Sequence, residues 1–436
     1  MNSPNILFFL PDQHRHDWLG VNENLPLRMP TLDQIIKKGT RFRRCYTPSP
    51  VCSPARACLA TGRSYTRCGV RDNIDNTPLD MDNYYRILKK SGYQVSGVGK
   101  FDLHKVDLDW GLDGKNMLSE YGFTSGCDNE GKGDAFRSWK KNKCPRGPYM
   151  EHLRKEGMVE KHIEMYEQNK EYGLCYSAIS PLPEKDYCDN WIGENAIREI
   201  EKFKKDQPWH LVVNFTGPHD PYDVLPSMKE AWEGVEFPKP FLPKDDNPEE
   251  VQIRRRYYAA MLENIDRQMS RILKAVESRG ELENTLIVYS SDHGEMLGDY
   301  GHWGKCRPEE GSSHIPMILK GPGVPEGKEE DALVSLHDLC ATFIELAGKK
   351  VPIEMDSKSL WPVLASKENR EHLVIGLNQW RMVIRGDHKV IFYKEGYTEI
   401  YNLKLDPNEL QRILPNLENK TLVDECRRIV ENEIPF

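Results

Sequence analysis

The run Cys52-Ser53-Pro54-Ala55-Arg56 continues as Ala57-Cys58-Leu59-Ala60-Thr61-Gly62-Arg63 and sets a thiol beside a proline, with an arginine four residues on. Proline lacks an N–H and has its φ preset for the first turn of a helix. The residues after it are good helix formers, so the string predicts a helix with Cys52 at its N-terminus. There the free N–H groups and the dipole favour an anion. Arg56, one turn on, can reach back to the same point. A lone cysteine is usually a buried thiol, and Cys58 and Cys68 are read that way. The twelve-residue string sets Cys52 apart.

Four polar positions follow shortly on segments that read as strands: Asp12, Lys100, His219 and Asp292. Asp12, Gln13, Asp292 and His293 offer two anionic and two neutral ligands, a set that suits calcium, magnesium or manganese. A metal held there would stabilise a nucleophile at Cys52 and polarise an ester. Lys100 and Lys305 are cations that can meet charge developing on an oxyanion. An imidazole such as His219 can protonate a leaving group near neutral pH. Taken singly, each has a plainer reading as a turn residue or a solvated charge. Their joint position after strand ends and glycine-rich turns favours a common site.

The string from Cys52 to Arg63 resembles the modification signature of the type I sulfatases, Cys-x-Pro-Ser/Ala-Arg followed by Thr-Gly-Arg. The resemblance runs from Pro4 to the C-terminus and is weakest between residues 105 and 188. It implies an alkaline-phosphatase-like α/β fold. It also implies that a maturation enzyme oxidises Cys52 to formylglycine, whose hydrate attacks a sulfate monoester. Metal ligands are implied at Asp12, Gln13, Asp292 and His293, with the modified Cys52 facing the ion. Calcium is expected, with manganese or magnesium as alternatives. Gln13 stands where the family usually has a second aspartate, as in relatives that hydrolyse phosphonate or choline esters. Gly217-Pro218-His219-Asp220-Pro221 resembles the family's Pro-His-x-Pro element, and Gly298 to Lys305 its glycine-spaced lysine. One departure concerns proton transfer. The family usually reads Gly-Lys-x-His, but Gly99-Lys100-Phe101-Asp102-Leu103-His104 has aspartate at the expected position. If the segment stays extended, residues 102 and 104 share a side, and His104 is then expected to be the base. The expected catalytic set is Cys52, Arg56, Lys100, His104, His219 and Lys305. The expected substrate is a small sulfated sugar or similar metabolite. A phosphonate monoester or phosphodiester is the rival, and a non-catalytic binding protein a more distant one.

The elements that must position these groups alternate. Apolar runs at Asn5–Leu10, Trp209–Phe215 and Leu286–Ser290 read as strands buried on both faces, and Tyr93–Val98 reads as a further strand. Helical patterns lie at Thr31–Lys38, Asp82–Lys90, Asn190–Lys205, Glu250–Ser278 and Leu339–Ala347. This is the pattern of a mostly parallel sheet between helices, with sites beyond the strands' carboxyl ends. Residues 105–188 read as an insertion over the site within a catalytic domain of residues 1–370. Short strands at Leu373–Leu377, Met382–Arg385, Val390–Tyr393 and Glu399–Tyr401, then a helix near Leu422–Glu431, predict a small antiparallel sheet with a helix over residues 371–436. The 436 residues carry a formal net charge of −8, which gives no basic face for nucleic acid. No apolar run is long enough to span a bilayer. Eleven cysteines without metal spacing, and no recognisable signal peptide, favour the cytoplasm; a periplasmic site would suit a processed form.

Overall fold

The apolar run that opens the chain forms β1 (Asn5–Phe9), every residue of which is buried. The computed structural model describes residues 3–169, 175–244, 247–367 and 369–436. The next strands are β2 (Thr40–Tyr46), β3 (Gln94–Gly99), β4 (Cys127–Asp128), β5 (Ser177–Ile179), β6 (Trp209–Asn214), β7 (Tyr222–Val224), β8 (Thr285–Ser290), β9 (Met317–Lys320) and β10 (Lys328–Ser335). Eight of them make one sheet in the order β10-β2-β9-β8-β1-β6-β3-β4, while β5 pairs with β7 apart from it. Only β9 runs antiparallel to its neighbours.

The period-two alternation of side chains divides each central strand between two cores. Leu7, Phe9, Leu211, Val213, Ile287 and Tyr289 face one core. Ile6, Phe8, Val212, Leu286 and Val288 face the other. The first core is covered by helices Pro30–Lys37, Cys188–Lys202 and Pro248–Ser278. The second is covered by helices Cys52–Thr61, Tyr84–Lys90 and Asp338–Leu346. This is the layered α/β architecture that the uninterrupted apolar runs predict, with element ends shifted by one to three residues. The antiparallel β9 and the strands β2 and β10, whose charged residues break the apolar pattern, are additions to that reading.

The tail forms β11 (His372–Leu377), β12 (Trp380–Arg385), β13 (His388–Tyr393) and β14 (Thr398–Asn402), a four-stranded antiparallel sheet. One face, including Leu373, Ile375, Met382 and Ile384, packs against Val51, Ala57 and Tyr65 around the Cys52 helix. The other is covered by helix Lys420–Glu433 through Val423, Cys426 and Val430. Within residues 105–188, of which 170–174 lie outside the described residues, Ala135, Tyr149, Met150 and Leu153 join the core that takes Leu7 and Phe9 of β1.

Two histidines in this framework make it acid-sensitive. Burial pushes His162 down to about 4 and His210, on the central strand β6, to about 3. Both titrate near 6.5 in an unfolded chain, which therefore binds more protons than the native state below that value. Stability is thus complete above about pH 6.5 and is lost as the pH falls toward 4, at roughly 1.4 kcal/mol per pH unit for each residue. Thermal unfolding followed by circular dichroism is expected to show a midpoint several degrees lower at pH 5 than at pH 7, with His210→Phe flattening the difference.

Candidate active site

Strands β8, β1, β6 and β3 are adjacent and mutually parallel, so their carboxyl ends open onto one place. Asp12 follows β1, Lys100 follows β3, His219 follows β6, and Asp292 with His293 follows β8. Cys52 arrives from outside this set as the first residue of the buried helix Cys52–Thr61. The preceding Val51 gives no side-chain cap, and Asn73 Oδ1 accepts the Ser53 N–H at 3.0 Å. The helix stops at Gly62, whose φ of 63° lies in the left-handed region and whose N–H caps Cys58 O. A Cβ there would sit 2.8 Å from both Cys340 Sγ and Ser357 Oγ, so glycine is required.

The Cys52 sulfur is the meeting point. Lys305 Nζ lies 2.8 Å from it, His293 Nε2 3.2 Å, Lys100 Nζ 3.4 Å and Asp12 Oδ1 3.8 Å. Burial and Asp12 push the thiol up, but Lys100, Lys305 and His293 together outweigh them and hold it well below its usual range. Burial likewise opposes ionisation of Asp12, yet Lys100, His219, Lys305 and Arg56 keep it a carboxylate. Arg56 goes to the carboxylates rather than to the sulfur: Nε donates to Asp292 Oδ2 at 2.9 Å and Nη2 to Asp12 Oδ2 at 3.4 Å. His219 Nδ1 donates to the Asp220 carbonyl at 2.6 Å, which fixes the tautomer, because a carbonyl only accepts. Its Nε2 faces Lys305 Nζ at 2.7 Å, so one of these two nitrogens accepts and the pair shares a proton. Burial and Lys305 lower the basicity of His219, but Asp220, Asp12 and Cys52 leave it above the ordinary imidazole value.

A cation fits this donor set. Asp12, Cys52, Asp292 and His293 bring ligand atoms within 4.8 Å of one another, all buried. Gln13 Oε1 is buried without a hydrogen-bond partner. The backbone explains why position 13 carries an amide. Its φ is 74°, held by Gln13 N donating to Asp292 Oδ1 at 3.0 Å and by Tyr258 OH donating to Gln13 O at 2.7 Å. The side-chain Nε2 then donates to Asp220 Oδ1 at 3.1 Å and to Glu295 Oε2. Glu295, which sequence reading did not single out, also accepts the Gly304 N–H at 2.5 Å and so anchors the turn that delivers Lys305. Gln13→Glu replaces two donors by a third carboxylate. It is expected to cost roughly 3 kcal/mol or more, read as a lower unfolding midpoint in denaturant.

His104 is not brought to this centre. The extended segment assumed for residues 102–104 is broken at Asp102, whose φ is 53°. His104 Nε2 instead lies 3.5 Å from Asp107 at the surface. Asp102 stays inside: Oδ2 takes Lys105 Nζ at 2.8 Å and Lys100 Nζ at 3.1 Å, and Oδ1 is buried without a partner. Burial alone would raise the Asp102 carboxyl; Lys100 and Lys105 hold it well below the usual range. His104→Ala is expected to keep kcat within about twofold, as surface substitutions usually do, in a steady-state assay on 4-nitrophenyl sulfate. Lys105 is a further residue that sequence reading missed, since a lysine in a loop carries no local signal of burial.

Several further polar residues were possible site members by type. His14, Arg15 and His16 are structural: His14 bonds Tyr289 and Trp18, Arg15 pairs with Asp17 and Asp299, and His16 stacks on His314 at 3.7 Å. Arg381 holds the Ile434 and Pro435 carbonyls. Asn73 and Asp220 line a cavity of about 420 Å³ that opens beside Cys52.

Residues 4–349 match the family model described as Sulfatase. The chain belongs to the sulfatase family. Such enzymes are sulfuric ester hydrolases, and this chain is one. Residues 298–434 also match a model described as N-sulphoglucosamine sulphohydrolase, C-terminal. An arylsulfatase of Clostridium perfringens is 25% identical over 99% of this chain and 94% of its own length. An N-acetylglucosamine-6-O-sulfatase of Bacteroides thetaiotaomicron is 24% identical over 98% of this chain and 86% of its own. Among solved structures, the phosphonate monoester hydrolase of Agrobacterium radiobacter superposes with a TM-score of 0.80 at 20% identity, covering 98% of this chain and 95% of that one. The fold is the alkaline-phosphatase-like one that the sulfatase resemblance implies, with its small C-terminal sheet.

Proposed function

We propose that this sulfatase hydrolyses the sulfate monoester of a small sulfated sugar, with Cys52 converted to formylglycine by a maturation enzyme. The observation that carries the reading is the convergence of Lys305, Lys100 and His293 on the Cys52 sulfur, with His219 one contact behind Lys305. The hydrate of the aldehyde would supply the nucleophilic oxygen. Asp12, Gln13, Asp292 and His293 would hold a divalent cation, which when bound polarises the ester and stabilises that oxygen. Calcium takes the oxygen donors, whereas the His293 imidazole also suits manganese.

The chain's own residues account for the rest. Lys100 and Lys305 are buried ammonium groups; burial disfavours their charge, but Asp12 and Cys52 raise both, helped by Asp102 at Lys100 and by Asp220 at Lys305. The two ammonium groups would hold the non-bridging oxygens of the sulfate group. Arg56 fixes the spacing of the two carboxylates. As the S–O bond breaks, His219 Nε2 takes a proton from Lys305 Nζ and gives it to the departing alcohol oxygen, which leaves Lys305 as a neutral amine. A sugar ester fits because its alcohol is a poor leaving group that needs this proton, and a curated relative carries an N-acetylglucosamine-6-O-sulfatase name. Eleven free cysteines fit a reducing compartment such as the cytoplasm. Among the described residues no helix is long and apolar enough to cross a membrane.

Gln13 with His293, and the likeness to a phosphonate monoester hydrolase, give a second reading: hydrolysis of a phosphonate monoester. Enzyme co-expressed with a maturation enzyme, assayed in Ca2+ and in Mn2+ on 4-nitrophenyl sulfate and on the 4-nitrophenyl ester of phenylphosphonate, separates the two. The sulfatase reading expects the larger kcat/KM on the sulfate; a larger value on the phosphonate ester in both metals would replace it.

A further inference from the structure

The cavity beside Cys52 continues past the groups that do the chemistry. From the sulfur, charged atoms of alternating sign lead along its wall, with Asp102 lying behind the lining residues. Lys100 Nζ, 3.4 Å from Sγ, lies 3.1 Å from Asp102 Oδ2. The same oxygen accepts from Lys105 Nζ at 2.8 Å. Lys105 Nζ is 3.9 Å from Asp134 Oδ2, and Asp134 Oδ1 takes Arg137 Nη2. Ester hydrolysis employs Lys100 and leaves Lys105, Asp134 and Arg137 without a task, yet all three line the cavity. Lys105 is buried, and Arg137, with its side chain 64% exposed, stands at the mouth.

The wall is rich in donors. An ammonium carries three N–H groups and a guanidinium five, and neither accepts. Two carboxylates also line the cavity: Asp134, which Lys105 and Arg137 share, and Asp220 at the catalytic end, which accepts from Gln13 Nε2 at 3.1 Å. Asn73 spends its oxygen on the Ser53 N–H, which leaves its amide N–H groups as what it can offer a ligand. Helix Lys132–Asn142 begins here with Gly131 as an N-cap that provides no side-chain acceptor, and its first-turn residues Lys132, Gly133 and Asp134 line the cavity. Free first-turn N–H groups favour an anion. The Lys132 ammonium itself is spent on Asp223 Oδ1 at 2.5 Å and Pro221 O at 2.9 Å. A neutral sugar presents hydroxyls that must donate as well as accept, which the outer stretch of this wall, its one carboxylate already paired with Lys105 and Arg137, serves poorly. An anionic substituent only accepts, which matches it.

We propose that the substrate carries a second anionic group, a carboxylate or a second sulfate, on the sugar that bears the scissile sulfate, seated against Lys105, Arg137 and the start of helix Lys132–Asn142. This rests on the sulfatase reading. The test compares the four glucose monosulfates with glucuronic acid 2- and 3-sulfates and glucose 2,6- and 3,6-disulfates, with 4-nitrophenyl sulfate reporting the chemistry. The best doubly anionic sugar is expected to exceed the best glucose monosulfate in kcat/KM by about tenfold or more, the scale of one charge-assisted contact. A uronate preference identifies a carboxylate pocket, and a disulfate preference a sulfate pocket. Arg137→Gln, a change at an exposed position that leaves folding intact, is expected to cut that preference about tenfold through KM. Lys105→Gln should act in the same direction. Equal or better use of glucose monosulfates, or a preference untouched by Arg137→Gln, overturns the proposal. Calorimetric titration of the same sugars into Cys52→Ala protein reads the preference without turnover. Inactivity on 4-nitrophenyl sulfate would therefore count against the sulfatase reading, and indiscriminate sugar binding against the second anionic group.

Discussion

Cys52→Ala is expected to lower kcat/KM for 4-nitrophenyl sulfate by at least about 10,000-fold, the scale seen when a covalent nucleophile is removed. Residue 52 is the atom-level focus of the site: two ammonium groups, an imidazole and a carboxylate lie within 3.8 Å of its sulfur. Removing the side chain leaves those charges with nothing to deliver to the ester. The fold should tolerate the change, since alanine suits a first helical turn and the helix is held by Ala55, Leu59 and Ala60 in the core. Circular dichroism should therefore show a native spectrum beside the lost rate. Mass spectrometry of the peptide spanning Cys52 in active wild-type protein is expected to show a loss of sulfur to an aldehyde. Unmodified cysteine together with full activity in Cys52→Ala would remove the central claim.

His219→Ala is expected to lower kcat by about 100- to 10,000-fold, the range for loss of a positioned proton donor. The size should depend on the leaving group. A nitrophenolate departs without help, so the loss on 4-nitrophenyl sulfate should fall at the small end. A sugar or alkyl sulfate, whose alkoxide needs a proton, should show the large loss. This split follows from the geometry, because His219 touches Lys305 and the Asp220 carbonyl and has its Nε2 at the cavity. Lys305→Ala would instead slow both substrates, since Lys305 also contacts the Cys52 sulfur. Equal losses on both substrates in His219→Ala would assign the imidazole to charge stabilisation rather than proton transfer.

The legible part of the site was the part written in local sequence. Cys52 stands at a helix start because Pro54 and the alanines after it settle the helix, and Gly62 ends it because only glycine takes that turn without a clash. Asp12, Lys100, His219 and Asp292 were legible because each follows shortly on a segment that reads as a strand, three of the four segments being apolar runs. Position 104 misled because a single backbone angle at Asp102 decides which side chain turns inward, and nothing in the neighbouring residues announces it. Arg56 was placed near the sulfur by helical spacing, but its guanidinium is drawn to Asp292 and Asp12 by charges contributed from other strands. Glu295 and Lys105 were invisible because a charged residue in a loop is solvated by default, and only packing from distant segments buries it.

The sequence by itself determined the layered α/β class, the small antiparallel tail, the helix that presents Cys52 and the list of strand ends from which the candidate groups emerge. Those follow from burial patterns and backbone preferences that act over a few residues. Tertiary structure decided that β8, β1, β6 and β3 lie side by side, that Lys305 reaches back 253 residues to Cys52, and that Gln13 spans Asp220 and Glu295. It also decided which cations meet at the Cys52 sulfur and which line the cavity beyond it. Such choices depend on strand order and on charges brought together from remote segments, where the energy resides in the contact and leaves no trace in either segment alone.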